Sequence, residues 1–291
     1  MRGVVTRSRA ESKSTVKQLA GRVAAITGAA SGIGRALAIA LAREGMQLAL
    51  SDIDEPGLAE TERLAAAHGT RVTTARLDVA ERAAVHAWAD RVAAEHGAVH
   101  LAVNNAGVAL GATIEQMAYE DLEWLFGINF WGVVHGTKAF LPHLLAAEEG
   151  HIVNLSSVFG LIAVPGQGAY NAAKFAVRGY TECLRQELEL ENRRVSATCV
   201  HPGGVKTNIA RSARNRQPGL MSSDELARRF EEIARTTPAD AALAIVRGVK
   251  RNARRVLIGA DARAIDLVQR LTGAGYQALT VRVARRGLVA P

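Results

Sequence analysis

Glycines separate a short apolar run from a helical one near the start of the chain, and this junction constrains the fold more than any other feature. Arg22-Val-Ala-Ala-Ile-Thr-Gly28 reads as a buried strand that enters Gly28-Ala-Ala-Ser-Gly32-Ile-Gly34 and then the helical stretch Arg35–Arg43. Glycines let the backbone turn tightly and approach a bound group, while the helix N-terminus offers unpaired N–H groups and the positive end of its dipole. A strand, a glycine turn and a helix in that order can cradle a pyrophosphate. The spacing is G-x-x-x-G-x-G rather than the commoner G-x-G-x-x-G. The next apolar run, Met46-Gln-Leu-Ala-Leu-Ser-Asp52, ends in an acid where the hydroxyls of an adenosine ribose are expected.

The same alternation continues along the chain. Apolar runs near 23–27, 47–51, 71–75, 100–103, 151–155, 195–200 and 255–258 alternate with helical patterns near 32–44, 56–67, 81–96, 118–147, 168–190 and 239–252. Parallel strands joined by helical crossovers satisfy this order, which places the chain in the α/β class. The expected architecture is a single doubly wound sheet of about seven strands with helices on both faces. Pro56 and Pro238 suit helix starts. At 291 residues the chain can bury a substantial core as one domain, read here over 21–260. Residues 1–20 read as a basic, disordered extension and 261–291 as a basic amphipathic one. The rhythm breaks at 208–237, which is rich in Arg, Ser and Asn and carries a polar helix near 223–234.

A second cluster lies mid-chain. Tyr170-Asn-Ala-Ala-Lys174 sets a phenol and an ammonium four residues apart, on one face of a helix. A free tyrosine, with a pKa of about 10, is a poor acid or base at neutral pH, and a cation beside it favours the phenolate. Ser157 stands thirteen residues upstream, just past the apolar run Gly150-His-Ile-Val-Asn-Leu155. A hydroxyl there can polarise a carbonyl or steady an alkoxide. A Tyr-x-x-x-Lys pair by itself arises by chance on amphipathic helices; the glycine turn gives it weight.

From about Gly21 to Gly259 the chain resembles a short-chain dehydrogenase/reductase. Thr27-Gly-Ala-Ala-Ser-Gly-Ile-Gly34 matches that family's cofactor loop, which brings in Gly28, Ser31, Gly32, Ile33 and Gly34. Asp78 and Val79 match the adenine-contacting acid and its neighbour, and Asn104-Asn105-Ala106-Gly107 the motif after the fourth strand. Pro202 and Gly203, with Val205 and Thr207, match the segment that holds the nicotinamide carboxamide. Asn129, Ser157, Tyr170 and Lys174 complete the catalytic set, with Tyr170 and Lys174 also facing the cofactor. The resemblance implies a Rossmann-type fold and hydride transfer between a nicotinamide and a CH–OH or carbonyl carbon. It makes Tyr170 the general acid/base, Lys174 its activator, Ser157 the donor to the substrate oxygen, and Asn129 the holder of a relay water. It also implies a homodimer or homotetramer joined through the long helices near 118–147 and 168–190, and makes 208–237 a substrate lid.

Charge bears on the cofactor and partners. Asp52 repels a 2′-phosphate, and the neighbouring positions Ser31 and Ile53 are uncharged, so NAD(H) is expected over NADP(H). Arg35 reads as a solvated helix residue. The net charge of +8 comes from the ends: six Lys/Arg against one acid in 1–22, and ten against two in 247–291. The body between them is mildly acidic, which argues against nucleic acid and leaves the basic tails as solvated elements. The stripe Ala264–Leu271 suits either a subunit contact or a peripheral contact with a membrane surface. No apolar run reaches the roughly 20 residues that span a bilayer, and residues 1–20 lack a secretory apolar core. Cys183 and Cys199 show no metal or disulfide spacing, which suits a cytoplasmic protein.

The substrate is the least specified part. Val158-Phe-Gly-Leu-Ile-Ala-Val-Pro165, with Leu220 and Met221, leans toward an apolar alcohol or ketone such as a steroid, retinoid, terpenoid or long-chain alcohol. Packing under the lid explains the same residues equally well. His201 reads as a packing histidine, and Arg211, Arg214 and Arg216 as a solvated basic turn. The alternatives left open are an NADP-linked ketoreductase and a non-catalytic dinucleotide-binding regulator.

Overall fold

Seven parallel strands form one sheet among the described residues of a computed structural model, which describes residues 16, 18–147, 149–209, 213–215, 228 and 234–285. The first half runs β1 (Val23–Thr27), α1 (Gly32–Arg43), β2 (Gln47–Asp52), α2 (Glu55–Ala66), β3 (Val72–Arg76), α3 (Arg82–His96) and β4 (Leu101–Asn104). A short strand β5 (Leu110–Gly111) follows, then α4 (Tyr119–Phe126), a π-helical turn (Gly127–Trp131) and α5 (Gly132–Ala146). The second half runs β6 (Gly150–Leu155), a 3₁₀ turn (Val158–Gly160), α6 (Gly168–Leu190), β7 (Val195–Pro202), β8 (Arg214–Asn215), α7 (Pro238–Lys250) and β9 (Arg255–Ile258). Two further helices, α8 (Ala260–Thr272) and α9 (Tyr276–Arg285), end the described chain.

The sheet order is β3-β2-β1-β4-β6-β7-β9, while β5 and β8 pair separately. Successive strand residues point to opposite faces, and the core divides accordingly. Ala24, Ile26, Leu48, Leu50, Leu101 and Val103 pack with Leu37 and Leu41 of α1, Leu58 of α2 and Ile245 of α7. From the other face, Val23, Ala25, Ala49, Ala102 and Ile152 meet Val85 and Trp88 of α3, Phe140 and Leu144 of α5, and Leu184 of α6. Trp88 and Phe140 meet edge to face at 5.2 Å, a geometry aromatic pairs favour. This is the expected doubly wound Rossmann architecture, with the strands where the apolar runs placed them.

Four buried polar residues of the strands and the helices against them bond to one another. Asn104 Nδ2 donates to Asn154 Oδ1 at 2.7 Å and to Thr137 Oγ1 at 3.2 Å, and Asn154 Nδ2 donates to Thr181 Oγ1 at 3.0 Å. The ladder joins β4 and β6 to α5 and α6, and all four residues are buried.

One expectation changes. The single helix expected over 118–147 is broken by the π-helical turn at Gly127–Trp131, because Asn129 turns inward there to bind the backbone of Val108. The basic C-terminal extension forms α8 and α9. Val16 and Leu19 are buried in the first core, whereas residues 1–15 and 17 lie outside the described residues, as do Leu220, Met221, Arg211, Arg216 and nearly all of the expected helix near 223–234. No described helix is long and apolar enough to cross a membrane.

Candidate active site

The strand order reverses between β1 and β4, and a crevice outside the carboxyl ends of strands at such a switch point is where open α/β sheets bind ligands. The glycine turn lies there. Gly28 has φ +66°, and a Cβ on it would stand 2.7 Å from Ala106 Cα and 2.8 Å from Asn105 Nδ2. Glycine is therefore required both by conformation and by the close approach of the β4 tail. Asn105 Nδ2 donates to the carbonyls of Thr27 at 3.0 Å and Gly28 at 2.9 Å. Thr27 Oγ1 accepts the backbone N–H groups of Asn105 and Ala106 at 3.1 and 3.2 Å. The two loops are thus pinned together. Ser31, at the N-cap of α1, makes no capping bond, so the first N–H groups of the helix are left to an anion. Ile33 packs against the first core and Gly34 fits tightly below Gly28.

Asp52 is fixed at the end of β2, with Oδ2 accepting from Ala30 N at 2.9 Å and Oδ1 from Asp54 N at 3.1 Å. Asp78 accepts from Ala80 N at 2.9 Å, and Val79 is buried. Beyond β7, Pro202 leads to Gly203 and to buried Val205, which bridges Thr236. Thr207 returns over the glycine turn, its methyl 3.1 Å from where a Gly32 Cβ would stand. Both walls of the cleft therefore come together, with Asp261 of α8 holding Gly204 N at 2.6 Å.

Deeper in, Lys174 is buried, donates from Nζ to the Leu155 carbonyl at 3.0 Å and lies 5.5 Å from the centre of the Tyr170 ring. Ser157 Oγ accepts from Phe159 N at 3.1 Å and shares a hydrogen bond with the Tyr170 phenol. Asn129 Oδ1 accepts from Val108 N and its Nδ2 donates to Val108 O, both at 2.8 Å. Gly107 sits between the two amide and amine groups: a Cβ there would stand 3.2 Å from Asn129 Oδ1 and 3.6 Å from Lys174 Nζ. The four residues, two from α6, one from the π-helical turn and one from the start of the 3₁₀ turn, thus meet at one place. Ser156 points elsewhere, its hydroxyl donating to the Lys174 carbonyl at 2.8 Å.

The electrostatics differ from the expectation that Lys174 lowers the tyrosine. Burial pushes Tyr170 up to about 12, and the hydrogen bond with Ser157 offsets part of that rise. Burial likewise holds Lys174 down to about 8. Removing both groups from water disfavours their charged forms.

Other side chains depart from their sequence reading. Arg35 is not solvated: it donates to Thr61 Oγ1 at 2.9 Å, to Gly57 O at 3.1 Å and to the Ala30 carbonyl, beneath the glycine turn. Its charge made it look exposed, yet capture by carbonyls of the glycine turn and of the first turn of α2 explains its place. Arg214 stacks 3.7 Å from the Trp124 ring centre and pairs with buried Asp121 at 3.2 Å. The guanidinium is held on an aromatic face beside a carboxylate, yet its side chain stays 42% exposed, in keeping with the solvated turn read from the sequence. Of the apolar loop, Val158, Leu161, Ile162 and Val164 are buried, while Phe159 meets Tyr170 edge-on at 6.1 Å. An apolar cluster unseen in the sequence includes Tyr170: Val108, Met117, Leu122, Trp124, Phe126 and Phe130 pack with it around Leu110 and Leu125. Asp261 was missed too, although an acid in the first turn of a helix is a recognisable signal.

The short chain dehydrogenase family model matches residues 22–218, most of the chain. The chain belongs to the short-chain dehydrogenase family. Its relatives include a protein of Mycobacterium tuberculosis named putative oxidoreductase SadH, 52% identical over 264 residues that cover 89% of this chain and 94% of that protein. Human epidermal retinol dehydrogenase 2 is 37% identical over 207 residues, covering 70% of this chain and 67% of that one. Among solved structures, a short-chain dehydrogenase/reductase from Burkholderia phymatum in complex with NAD superposes with a TM-score of 0.81 at 35% identity, covering 89% of this chain and 96% of that one. Membership of this oxidoreductase family agrees with the paired loops, the Rossmann order and the Tyr170–Lys174 arrangement.

Proposed function

We propose that the protein is an NAD(H)-dependent oxidoreductase that interconverts an apolar secondary alcohol and its ketone, with Tyr170 as general acid/base. The observation that carries this reading is the convergence of Ser157, Tyr170, Lys174 and Asn129 beside Gly107, at the end of a cleft walled by the glycine turn. The dinucleotide fits the residues present. The space a Gly28 Cβ would fill is already taken up by the β4 tail, the α1 N-terminus is uncapped, and Asp52 stands at the cleft rim. Gly28, Ser31, Gly32, Ile33 and Gly34 would hold the pyrophosphate, and Asp52 the adenosine ribose. Asp78 and Val79 would border the adenine; Asn105, Ala106 and Gly107 would line the cleft floor. Pro202, Gly203, Val205 and Thr207 would hold the nicotinamide end. When bound, the cofactor supplies the hydride acceptor or donor.

The residues of this chain supply the proton chemistry. Tyr170 takes the hydroxyl proton of the alcohol, or returns one to the ketone oxygen. Ser157 donates to the same oxygen, a stabilisation of charge as it develops. Lys174 carries its positive charge toward the cofactor ribose and favours the phenolate. Because burial holds Tyr170 near 12 in the protein alone, activation of the phenol belongs to the complex with oxidised cofactor, whose positive ring adds to the charge of Lys174.

The apolar wall of Trp124, Phe126, Phe130 and Phe159 supports an apolar substrate, and the retinol dehydrogenase relative points the same way. Exposed Trp131 and Phe175, on the π-helical turn and α6, support assembly of copies through these long helices. The test is a panel of secondary alcohols, steroids, retinoids and diketones followed by NADH absorbance. Binding of NADH with no turnover across the panel would favour a regulatory protein instead.

A further inference from the structure

His201, read in the sequence as a packing histidine, has no part in the proposed chemistry. It lies at the end of β7, fully buried, beside the backbone that carries Ser157. Its Nδ1 is 2.8 Å from the Ser157 carbonyl oxygen. A carbonyl only accepts, so Nδ1 carries the proton. Nε2 then presents a bare lone pair, buried and without a partner among the described residues. Burial also holds the ring down to about 4, so the imidazole is neutral at working pH. A buried unpaired acceptor destabilises a fold. Packing alone would be better served by leucine, so the ring is explained by what Nδ1 does.

What Nδ1 does is complete the fixation of Ser157. Immediately before it, Ser156 N donates to the Val200 carbonyl at 2.8 Å. The Ser157 carbonyl accepts from Gly160 N at 2.9 Å as well as from His201, and the Ser157 hydroxyl is left facing Phe159 N and the Tyr170 phenol. The 3₁₀ turn at Val158–Gly160 is thereby anchored to β7 by a side chain. Resting on the reading of Ser157 and Tyr170 given above, we propose that His201 is a positioning residue: its Nδ1–H fixes the Ser157 carbonyl and so aims the Ser157 hydroxyl at the oxygen it polarises.

Chain geometry makes this testable. The Nδ2 of asparagine reaches where histidine Nδ1 stands, whereas glutamine extends toward the Nε2 position, and leucine donates nothing. The expected result is that His201→Leu and His201→Gln lower kcat about ten- to a hundredfold, the scale of misplaced catalytic groups. The Kd for NADH stays at the wild-type value and the Tyr170 limb of the pH profile moves upward. His201→Asn recovers most of the loss, and His201→Leu added to Ser157→Ala changes kcat by less than about twofold, as residues acting through one another do. A His201→Leu enzyme with wild-type kcat and pH profile overturns the proposal, as does a loss that simply adds to that of Ser157→Ala. Nitrogen NMR of the ring-labelled protein at pH 7 reads the same bond without turnover: an Nδ1-protonated neutral ring is expected, and an Nε2-protonated or cationic ring overturns it. That measurement stands even if Tyr170→Phe proves fully active, which would sink the catalytic reading instead.

Discussion

Asn129 binds both backbone groups of Val108, accepting from its N–H and donating to its carbonyl at 2.8 Å each. The side-chain amide thus imitates a neighbouring strand residue at a point where the chain has left β4 and has not yet entered β5. A π-helical turn supplies the inward projection that a regular helix denies at that position. The result holds the Gly107–Val108 backbone against Lys174.

Replacing Asn129 by Asp keeps the acceptor and removes the donor, leaving the Val108 carbonyl unpaired and a carboxylate buried. A destabilisation of about 1–3 kcal/mol is expected, with a fall in kcat because Gly107 loses its register beside Lys174. Denaturant midpoints and steady-state kinetics on the same preparation check both, and an unchanged midpoint contradicts the bridging role.

Tyr170→Phe removes the acid/base and little else, since the ring still packs on Phe159. A loss of at least about a hundredfold in kcat is expected, the low end of acid–base contributions, with NADH binding intact by fluorescence titration. Near-normal turnover would remove Tyr170 from the chemistry.

Cofactor choice follows from Asp52 and from Arg35 together. The carboxylate repels a 2′-phosphate, and the three bonds of Arg35 to Thr61, Gly57 and Ala30 leave it engaged beneath the turn. The ratio of kcat/KM for NAD(H) over NADP(H) is expected to exceed about tenfold, equivalent to ~1.4 kcal/mol. Asp52→Asn should narrow it. A ratio below one, measured at matched substrate, reverses the assignment.

Acid stability reports on two buried rings. Burial holds His151 down to about 3, with Arg185 adding to the effect, and His201 down to about 4. As pH falls from about 6.5, the unfolded chain protonates both rings while the folded protein protonates neither. Stability is therefore full above about 6.5 and is lost as pH drops toward 4, by up to ~2.7 kcal/mol per pH unit for two protons. Urea midpoints at pH 7, 6 and 5 check this, and His201→Asn should lower the slope by about half. A flat profile over that range is the contrary result.

The central strands were legible because each is a short apolar run buried on both faces; Ala24 and Val23 serve opposite cores, so no alternation was needed to find them. The glycine turn and the Tyr170–Lys174 pair were legible because both depend on local spacing. What escaped depends on partners distant in sequence. Arg35 looked solvated because charge suggests water, and only the fold shows the carbonyls of Ala30 and Gly57 beneath it. The break at Asn129 was hidden because Val108, its partner, lies in an irregular stretch. The tyrosine's raised pKa was hidden because spacing conveys proximity to a cation and says nothing of lost water.

The strand order β3-β2-β1-β4-β6-β7-β9 also bears on how the molecule comes into being. Each new strand adds to an edge that already exists: β2 on one side of β1, β3 beyond it, then β4 on the other side, and so on outward. No strand has to wedge between two that are already paired. A chain emerging from the ribosome, where N-terminal parts fold first, can lay down the mononucleotide half of the sheet before Ser157 or Tyr170 has been synthesised. The half that carries Ser157 and Tyr170 is then added to strands that are already paired.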